Sequence, residues 1–203
     1  MSSRDEILGV VRASLPKLDR PLPQVPMFDA TAPVSLLALF KESLLDMGGD
    51  FLDVSPGVDP LQPIRRRLAV AKVVCSATPE VLGNRLLSSI RAPRDLADVD
   101  IGVVRAAFAV AETGSVCLTQ HSLGVNSLGY LPQHLIVLLD PADIVVNLHH
   151  AYQRPEFHQG HYAVFHTGPS ATADIEGVLI HGAQGVRTWT VVPIVRAANN
   201  PTQ

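Results

Sequence analysis

The chain has 203 residues, of which 47% are hydrophobic and 17% are charged, with a formal net charge of −3. A chain of this length buries about 70% of its unfolded surface on folding, which is enough for one hydrophobic core. Its 16 Lys and Arg are outnumbered by 19 Asp and Glu, so no general electrostatic attraction to nucleic acid is expected.

The compartment is inferred from the first residues, the apolar runs and the cysteines. The start lacks a secretory pattern, and the apolar runs are far shorter than the ~20 residues that span a bilayer. Cys75 and Cys117 lie in apolar surroundings, which indicates two buried free thiols in a reducing compartment. We expect a cytoplasmic, soluble protein without a membrane span.

No metal site is predicted. His158 and His161 are three residues apart and His149 and His150 are adjacent, but neither pair has an evident third ligand. Two cysteines are also too few for an iron–sulfur cluster within one chain.

The N-terminal residues 1–33 are predicted to form an arm. Residues 3–15 have the apolar spacing of a short amphipathic helix, which Pro16 ends. Five prolines between positions 16 and 33 indicate an extended connector. Such an arm packs either on its own body or on a neighbouring subunit, as in a homo-oligomer.

A second helix is predicted over residues 34–47, with Gly48 and Gly49 as its left-handed stop. Residues 51–54 resemble a strand, and residues 59–68 are either helix or irregular. The run of three arginines at 65–67 is typical of a solvated helix end, and the alternative is a contact with an anion or a partner.

The remaining chain, within a domain predicted over residues 34–197, alternates apolar runs with helical patterns. Most of the runs are continuous, as in strands that are buried on both faces. They cover residues 71–75, 108–111, 115–119, 135–139, 162–165, 178–180 and 189–195. Helices are predicted near 79–91 and near 141–152, the second with Asp140 as its N-cap. This pattern predicts an α/β fold with a mostly parallel sheet flanked by helices, followed by a frayed tail at 198–203.

The first candidate site is the turn Glu112-Thr113-Gly114. It lies in the exception to the α/β pattern, a hairpin predicted over residues 108–119. A carboxylate directly after an apolar strand is placed to act as a base, a nucleophile or a hydrogen-bond acceptor. The alternative is that Glu112 binds a local backbone amide.

The second candidate site follows the strand that ends at Phe165. Gly168 and Pro169 turn the chain, and Ser170 and Thr172 then offer hydroxyl groups beside a predicted helix N-terminus. Such an end binds phosphate or carboxylate groups. The alternative is that one of the two hydroxyls only caps the helix.

Two further features have weaker patterns. His134 lies at the entrance of the strand 135–139, where it makes either a structural hydrogen bond or a ligand contact. The turn Gly182-Ala183-Gln184-Gly185 precedes a strand rather than a helix, so it is not a dinucleotide fingerprint.

Four segments together resemble one family. They are Ala-Glu-Thr-Gly-Ser at 111–115, Leu-Pro-Gln-His at 131–134, Gly-Pro-Ser-Ala-Thr-Ala-Asp-Ile-Glu at 168–176 and Gly-Ala-Gln-Gly at 182–185. Their order and spacing are similar to those in the LUD domain of lactate utilisation protein C. The resemblance is strong over residues 69–195 and loose before them.

The resemblance implies a fold like that of the ribose-phosphate isomerase and CoA-transferase group. It also implies a role in bacterial oxidation of L-lactate to pyruvate, beside iron–sulfur partner proteins that hold the clusters, and a small anionic ligand. Glu112 is the implied catalytic residue. The implied ligand-binding residues are Thr113, Gly114, His134, Gly168, Ser170, Thr172, Asp174 and Glu176.

The sequence departs from the family pattern at two positions. Ala171 and Ser127 stand where the family usually has basic residues, so positive charge that could hold an acidic ligand is lost. Two other functions stay open: a stand-alone acyl-transfer or isomerase-type enzyme that uses Glu112, and a regulatory or scaffold module without a substrate.

Overall fold

The computed structural model describes residues 2–16, 21, 23–30, 33–55, 57–174, 176–182 and 184–196. The helices are α1 (Ser3–Ser14), α2 (Leu36–Asp46), α3 (Gln62–Val70), α4 (Gln120–Leu123), α5 (Leu148–Ala151) and α6 (Pro155–His158). The strands are β1 (Asp50–Phe51), β2 (Val74–Ser76), β3 (Ile101–Arg105), β4 (Phe108–Val110), β5 (Ser115–Thr119), β6 (His134–Leu139), β7 (Ile144–Val145), β8 (Ala163–His166), β9 (Ala171–Thr172), β10 (Ile180–His181) and β11 (Thr188–Pro193).

The strands form two main sheets. Five parallel strands make the central sheet, in the order β1-β11-β6-β3-β2. A second sheet has the order β7-β4-β5-β8, in which β5 is antiparallel to both of its neighbours. The strands β9 and β10 form a separate antiparallel pair. The predicted α/β class with a largely parallel sheet is confirmed.

The main core lies between the two sheets. Trp189 and Val137 of the central sheet are in one apolar cluster with Ala109 and Leu118 of the second sheet, and Phe40 of α2 joins them. The other face of the central sheet packs on Ile64 of α3. The outer face of the second sheet packs on α5. Both faces of each sheet are therefore covered, which explains the continuous apolar runs in the strands.

Several predicted elements are confirmed, including the hairpin of β4 and β5. Helix α2 ends at the predicted glycine stop: Gly48 has a φ of +81°, and the Gly49 N–H donates to the Leu44 carbonyl at 3.0 Å. The strand β3 is not among the predicted ones. Gly102 interrupts the apolar residues of this strand and weakens its sequence pattern. Packing favours glycine at this position, because a Cβ would lie 3.0 Å from the Pro132 side chain.

The helix predicted near 79–91 is wrong. This segment runs along the edge strand β2, where the Asn84 side chain accepts a hydrogen bond from the Val74 N–H at 2.8 Å. The Arg85 N–H donates to the Val74 carbonyl at 2.9 Å. These bonds pair backbone N–H and C=O groups at the open edge of β2, so the segment does not form the helix that its pattern predicts. Its only helical part is the 3-10 turn Leu87–Ser89.

The helix predicted near 141–152 is also wrong as one element. Asp140 does accept from the Ala142 N–H, at 3.0 Å, but it caps only a short 3-10 turn. The β-branched Ile144 and Val145 then pair with β4 as strand β7. A second cap, Asn147, begins the short helix α5.

Helix α1 of the N-terminal arm lies outside the core. Helix α1 has a complete capping box between Ser2 and Asp5, but none of its residues is buried. An oligomer through the arm stays a prediction. The predicted tail, 198–203, lies outside the described residues.

The connector after α1 is fastened to the body near α5. The Asn147 amide donates to the carbonyl oxygens of Met27 and Phe28, at 2.7 and 3.3 Å. Asp29 and His150 form a contact of 3.1 Å between carboxylate and imidazole. The arm therefore starts from a fixed point on the body.

Replacing Gly114 with Ala is expected to destabilise the fold by more than replacing Gly177. Both glycines have positive φ, +64° and +70°, so each substitution costs about 1–2 kcal/mol of backbone strain. A Cβ at Gly114 would also lie 2.3 Å from the Leu44 nitrogen, whereas Gly177 faces open space. We expect a further loss of about 1–3 kcal/mol for Gly114→Ala, measured by urea unfolding. Equal losses for the two variants would contradict the packing of α2 on this turn.

Both cysteines are expected to resist thiol reagents in the folded protein. They are free and buried, and burial raises the pKa of the Cys117 thiol to about 12. Burial also raises the pKa of Cys75. Ellman's reagent at pH 8 should therefore titrate neither thiol in native protein and both in guanidinium chloride. Rapid reaction of either native thiol would show that the core opens at that strand.

Candidate functional site

A cleft of about 470 Å³ opens where the strands β2, β3 and β5 end. Ligands of open α/β sheets bind outside the carboxyl ends of the strands, so this carboxyl-edge cleft is the first candidate site. Its lining residues are Ala77, Thr78, Pro79, Arg105, Ala107, Thr119, Gln120, His121, Ser122, Glu156, Gln159, Gly160 and Arg196.

Arg105, the last residue of β3, forms one wall of the carboxyl-edge cleft. Its side chain is 15% exposed and forms an ion pair with Glu80. Its Nη1 donates to the Ile194 carbonyl at 3.1 Å. These bonds hold the guanidinium in place, and within the described part of the chain its Nε has no hydrogen-bond partner.

Arg196 contributes a second guanidinium. Its Nη2 donates to the carbonyl oxygens of Ala106 and Ala107, at 3.0 and 2.9 Å, and its Nε lies 3.0 Å from Asp143. No described residue accepts a hydrogen bond from Nη1. The cleft thus has two fixed cations, each with a donor that no described residue uses.

Each arginine of the cleft has a carboxylate partner, Glu80 for Arg105 and Asp143 for Arg196, and two further carboxylates nearby are also engaged. Glu156 binds Arg154 through both oxygens. Burial alone would raise the pKa of Asp140, but hydrogen bonds from the Arg196 and Ala142 N–H groups and the nearby arginine charges outweigh it and lower that pKa. Asp140 therefore stays ionised and anchors the backbone of Arg196, with a bond of 2.7 Å.

His134 lies in a different cleft, at the opposite end of the central sheet. This amino-edge cleft, of about 500 Å³, is lined by Asp50, Arg67, Val70, Ala71, Lys72, Asp100, Ile101, His134, Ile136, Thr188 and Thr190. The His134 Nδ1 is 2.7 Å from the Thr188 hydroxyl. The sequence leaves two roles open for His134, a structural hydrogen bond and a ligand contact. The structure shows the hydrogen bond, and the ligand contact stays a prediction.

The predicted turn at 112–114 and the turn after β8 are neighbours, because β5 pairs with β8. The Thr113 hydroxyl donates to the Ser115 hydroxyl at 2.8 Å, and Ser115 is hydrogen-bonded to Thr167. Both turns pack closely against the end of α2. A Cβ at Gly168 would lie 2.4 Å from the Met47 carbonyl oxygen. Thr113, Gly114 and Gly168 thus meet at one structural junction.

Glu112 points away from this junction, towards α5. Its carboxylate accepts a hydrogen bond from the Leu148 N–H at 3.3 Å. It does not line any of the three clefts described here. This geometry is that of a turn carboxylate bound to a backbone amide, the alternative left open from the sequence, and a catalytic role for Glu112 stays a prediction.

Ser170 lines a third, shallower cleft of about 330 Å³ together with Tyr130, His166, Gly168 and Gly185. Its N–H donates to the Val186 carbonyl at 2.9 Å. The predicted helix N-terminus here is wrong, because Ala171–Thr172 is the strand β9, paired with β10. No helix therefore begins at these residues, and the free helical N–H groups expected to bind an anion are not present there.

The remaining motif residues belong to the segment between β9 and β10. The Thr172 hydroxyl accepts from the Asp174 N–H at 3.2 Å. The side chains of Asp174 and Glu176 are exposed, and Glu176 has a φ of +55°. Ile175 and Ala183 lie outside the described residues. The structure therefore distributes the predicted ligand-binding residues over several places and does not bring Glu112 into a cleft with Ser170 or Thr172.

The sequence analysis does not predict the carboxyl-edge cleft, because the strand that ends at Arg105 is not among the predicted ones. A signal is present for both arginines: Arg105 directly follows Val103 and Val104, and Arg196 directly follows the predicted run 189–195. Of metal sites, the described residues show no group of three or more His, Cys, Asp or Glu side chains that could hold an ion. None of the helices in the described ranges combines the length and apolar character that crossing a bilayer requires.

A family profile described as "LUD domain" matches residues 86–194, just over half of the chain. The chain belongs to the LUD-domain family. The match includes β3 to β11 and the junction of the two turns, so the resemblance predicted from the four sequence segments is confirmed. Among curated proteins, the comparison found no match.

A solved structure has the same fold as this LUD-domain protein. It is described as the crystal structure of a DUF162 family protein from Deinococcus radiodurans at 1.70 Å resolution. The two share 19% sequence identity with a TM-score of 0.58, over 78% of this chain and 98% of the other. At this identity the similarity shows the fold alone.

Acidification is expected to destabilise the LUD domain through His166, which lines the cleft of Ser170. Burial lowers the pKa of His166 below 6.5. As pH falls below 6.5, the unfolded chain takes up a proton that the folded imidazole does not, so the free energy of unfolding decreases. His166→Gln should flatten this decrease between pH 6.5 and 5 in urea unfolding. An unchanged slope in His166→Gln would contradict the burial.

Proposed function

We propose that this LUD-domain protein is a subunit of a bacterial L-lactate-oxidising system, acts beside iron–sulfur partner proteins and binds a small organic anion. Family membership supports the role in lactate utilisation. The observation that carries the binding step is the pair of guanidinium groups, Arg105 and Arg196, in the cleft at the carboxyl edge of the parallel sheet.

The carboxyl-edge cleft suits a carboxylate such as that of lactate or pyruvate. Guanidinium groups recognise carboxylates through charge-assisted hydrogen bonds. Arg105 and Arg196 are held by protein acceptors on one side, so they lose little side-chain freedom when an anion binds. Ser122 and His121 also line this cleft, and their hydroxyl and imidazole groups are of the type that would contact a lactate hydroxyl or a pyruvate carbonyl.

The proposal separates binding from electron transfer. Oxidation of L-lactate to pyruvate removes two electrons and two protons from the substrate. In the proposed system the electrons pass to iron–sulfur clusters in the partner proteins, and this chain holds a substrate or product carboxylate. The alternative of a stand-alone enzyme based on Glu112 has no support from the geometry, because that carboxylate is bonded to Leu148.

Substitution of Arg196 by Ala should weaken binding of pyruvate or L-lactate by about 10- to 100-fold, because one charge-assisted hydrogen bond is worth about 1.5–3 kcal/mol. Isothermal titration calorimetry of the purified chain gives the dissociation constants. Arg94→Ala is the matched control, since Arg94 is an exposed arginine outside the clefts. Thermal unfolding of both variants checks that they are folded. Equal affinities in the two variants would place the ligand elsewhere.

Reconstitution tests the role in oxidation. We expect the purified chain alone to give no L-lactate-dependent reduction of an artificial electron acceptor, and its addition to the iron–sulfur partner proteins to increase their rate. The Arg94→Ala variant should increase the rate of the partner proteins as much as the unsubstituted chain does, and the Arg196→Ala variant should not increase it. Full turnover by the chain alone, or no effect on the partners, would overturn the proposal.

A further inference from the structure

Strand β8 is an edge of the second sheet, and it pairs with β5 alone. On the side of β5, the Tyr162 carbonyl accepts a hydrogen bond from the Gln120 N–H at 2.9 Å. Backbone groups along an antiparallel strand point alternately to its two sides. The N–H and C=O groups of Ala163, Phe165 and Thr167 therefore face away from β5, and no described residue forms a backbone hydrogen bond with them there.

Open space borders this side of β8. The cleft that contains Ser170 is lined by seven consecutive residues, 164–170. Successive side chains of a strand point to opposite faces of the sheet, so consecutive residues line one cleft only where the cleft runs along the edge of the strand. The outer edge of β8 is therefore accessible from Val164 to the end of the strand.

The other sheet edges are short or covered. Strands β1 and β7 have two residues each, and β2 is bonded to the segment that contains Asn84 and Arg85. Proteins limit the pairing of edge strands by shortness, by a covering segment or by charged side chains. Strand β8 has four residues, and the sequence 157–173 contains no Asp, Glu, Lys or Arg. Within the described residues, β8 has none of these protections.

Large apolar side chains with exposed surface lie around the same edge. Tyr152 is 52% exposed, and its ring centroid is 6.0 Å from that of Phe165. Tyr130 is 44% exposed and lines the cleft along the edge. Met47 is 51% exposed, and its carbonyl lies beside Gly168, in the turn after β8. A molecule that pairs with β8 would also remove part of this apolar surface from water, which favours the pairing.

The outward-facing residues of β8 are complementary to a second copy of themselves. In an antiparallel pair with a two-fold axis at Phe165, this residue lies opposite the partner's Phe165, and Ala163 lies opposite the partner's Thr167. Each of these pairs exchanges two N–H···O bonds, so every outward backbone group of the three residues is used. A residue on a two-fold axis meets its own copy, and a charge there would repel itself. The uncharged sequence around Phe165 avoids this repulsion.

We propose that β8 pairs antiparallel with β8 of a second copy of this chain, with Phe165 on the two-fold axis. The two four-stranded sheets then form one sheet of eight strands. The two Phe165 rings form a cross-strand aromatic pair, and the exposed side of Tyr152 lies at the new interface. A two-fold pair also closes on itself and leaves neither β8 edge open. The inference does not rest on the lactate role or on the N-terminal arm.

Light scattering after size-exclusion chromatography tests the dimer. We expect the full chain to have twice its monomer mass at about 10 μM and above, since interfaces of standard size have micromolar or lower dissociation constants. Ala163→Pro should weaken the dimer at least about tenfold, because each copy loses one N–H donor to its partner. The same N–H faces away from β5, so proline is compatible with the β5–β8 pair.

Matched variants separate this interface from other contacts. Ala163→Ser keeps the backbone N–H and should dimerise like the unsubstituted chain. Val11→Asp places a charge on the exposed face of α1 and should also leave the dimer unchanged. Circular dichroism and thermal unfolding of the Ala163→Pro variant check that it is folded.

Hydrogen exchange tests the register without any substitution. In NMR of the full chain, the amides of Ala163, Phe165 and Thr167 should exchange slowly in the dimer and rapidly after dilution to the monomer. The measurement also decides the question if Ala163→Pro does not fold.

Three results would overturn the inference: a dimer that folded Ala163→Pro leaves intact, rapid exchange of the Phe165 amide in the dimer, or a chain that stays monomeric above about 100 μM. The last result would leave the β8 edge to an extended segment of a different protein.

Discussion

The central sheet is buried on both faces, and the positions of the clefts depend on this constraint. One face packs against a second sheet and the other against α3. Polar side chains in the middle of these strands would have to lose their hydration without a partner, at a cost of several kcal/mol each. Functional groups therefore reach solvent only where strands begin or end. Both large clefts are at such ends, one at each edge of the same parallel strands.

The junction at the end of α2 explains part of the motif that carries the family resemblance. Gly114 and Gly168 have backbone angles that favour glycine, and each lets a turn approach the backbone of α2 more closely than a Cβ allows. The hydroxyl chain from Thr113 through Ser115 to Thr167 joins the same two turns. These residues hold the second sheet against the helix, which is a structural task. The chemistry of the protein is then expected from other residues, such as Arg105 and Arg196.

Sequence patterns predicted the fold better than the site. Apolar runs located most strands, because burial on both faces leaves a continuous signal. The helix predictions near 79–91 and 141–152 are wrong for a shared reason. Each segment is hydrogen-bonded to a sheet edge, through Asn84 or through Ile144 and Val145, and such contacts are set by residues outside the segment itself. The same limit applies to the site. Arg105 and Arg196 are 91 positions apart, and only the packing of β3 beside the chain after β11 brings them to one cleft.

The attachment of the connector by Asn147 determines what helix α1 can contact. Between Ser14 and Met27 the chain can extend over at most about 45 Å, so α1 remains confined to a volume around α5. Confinement of this kind corresponds to a local concentration in the millimolar range. An apolar partner surface inside that volume, on this chain or on a subunit already bound to it, would capture the helix even if the two associated only weakly as separate molecules. A free partner in dilute solution would need a much higher intrinsic affinity to compete.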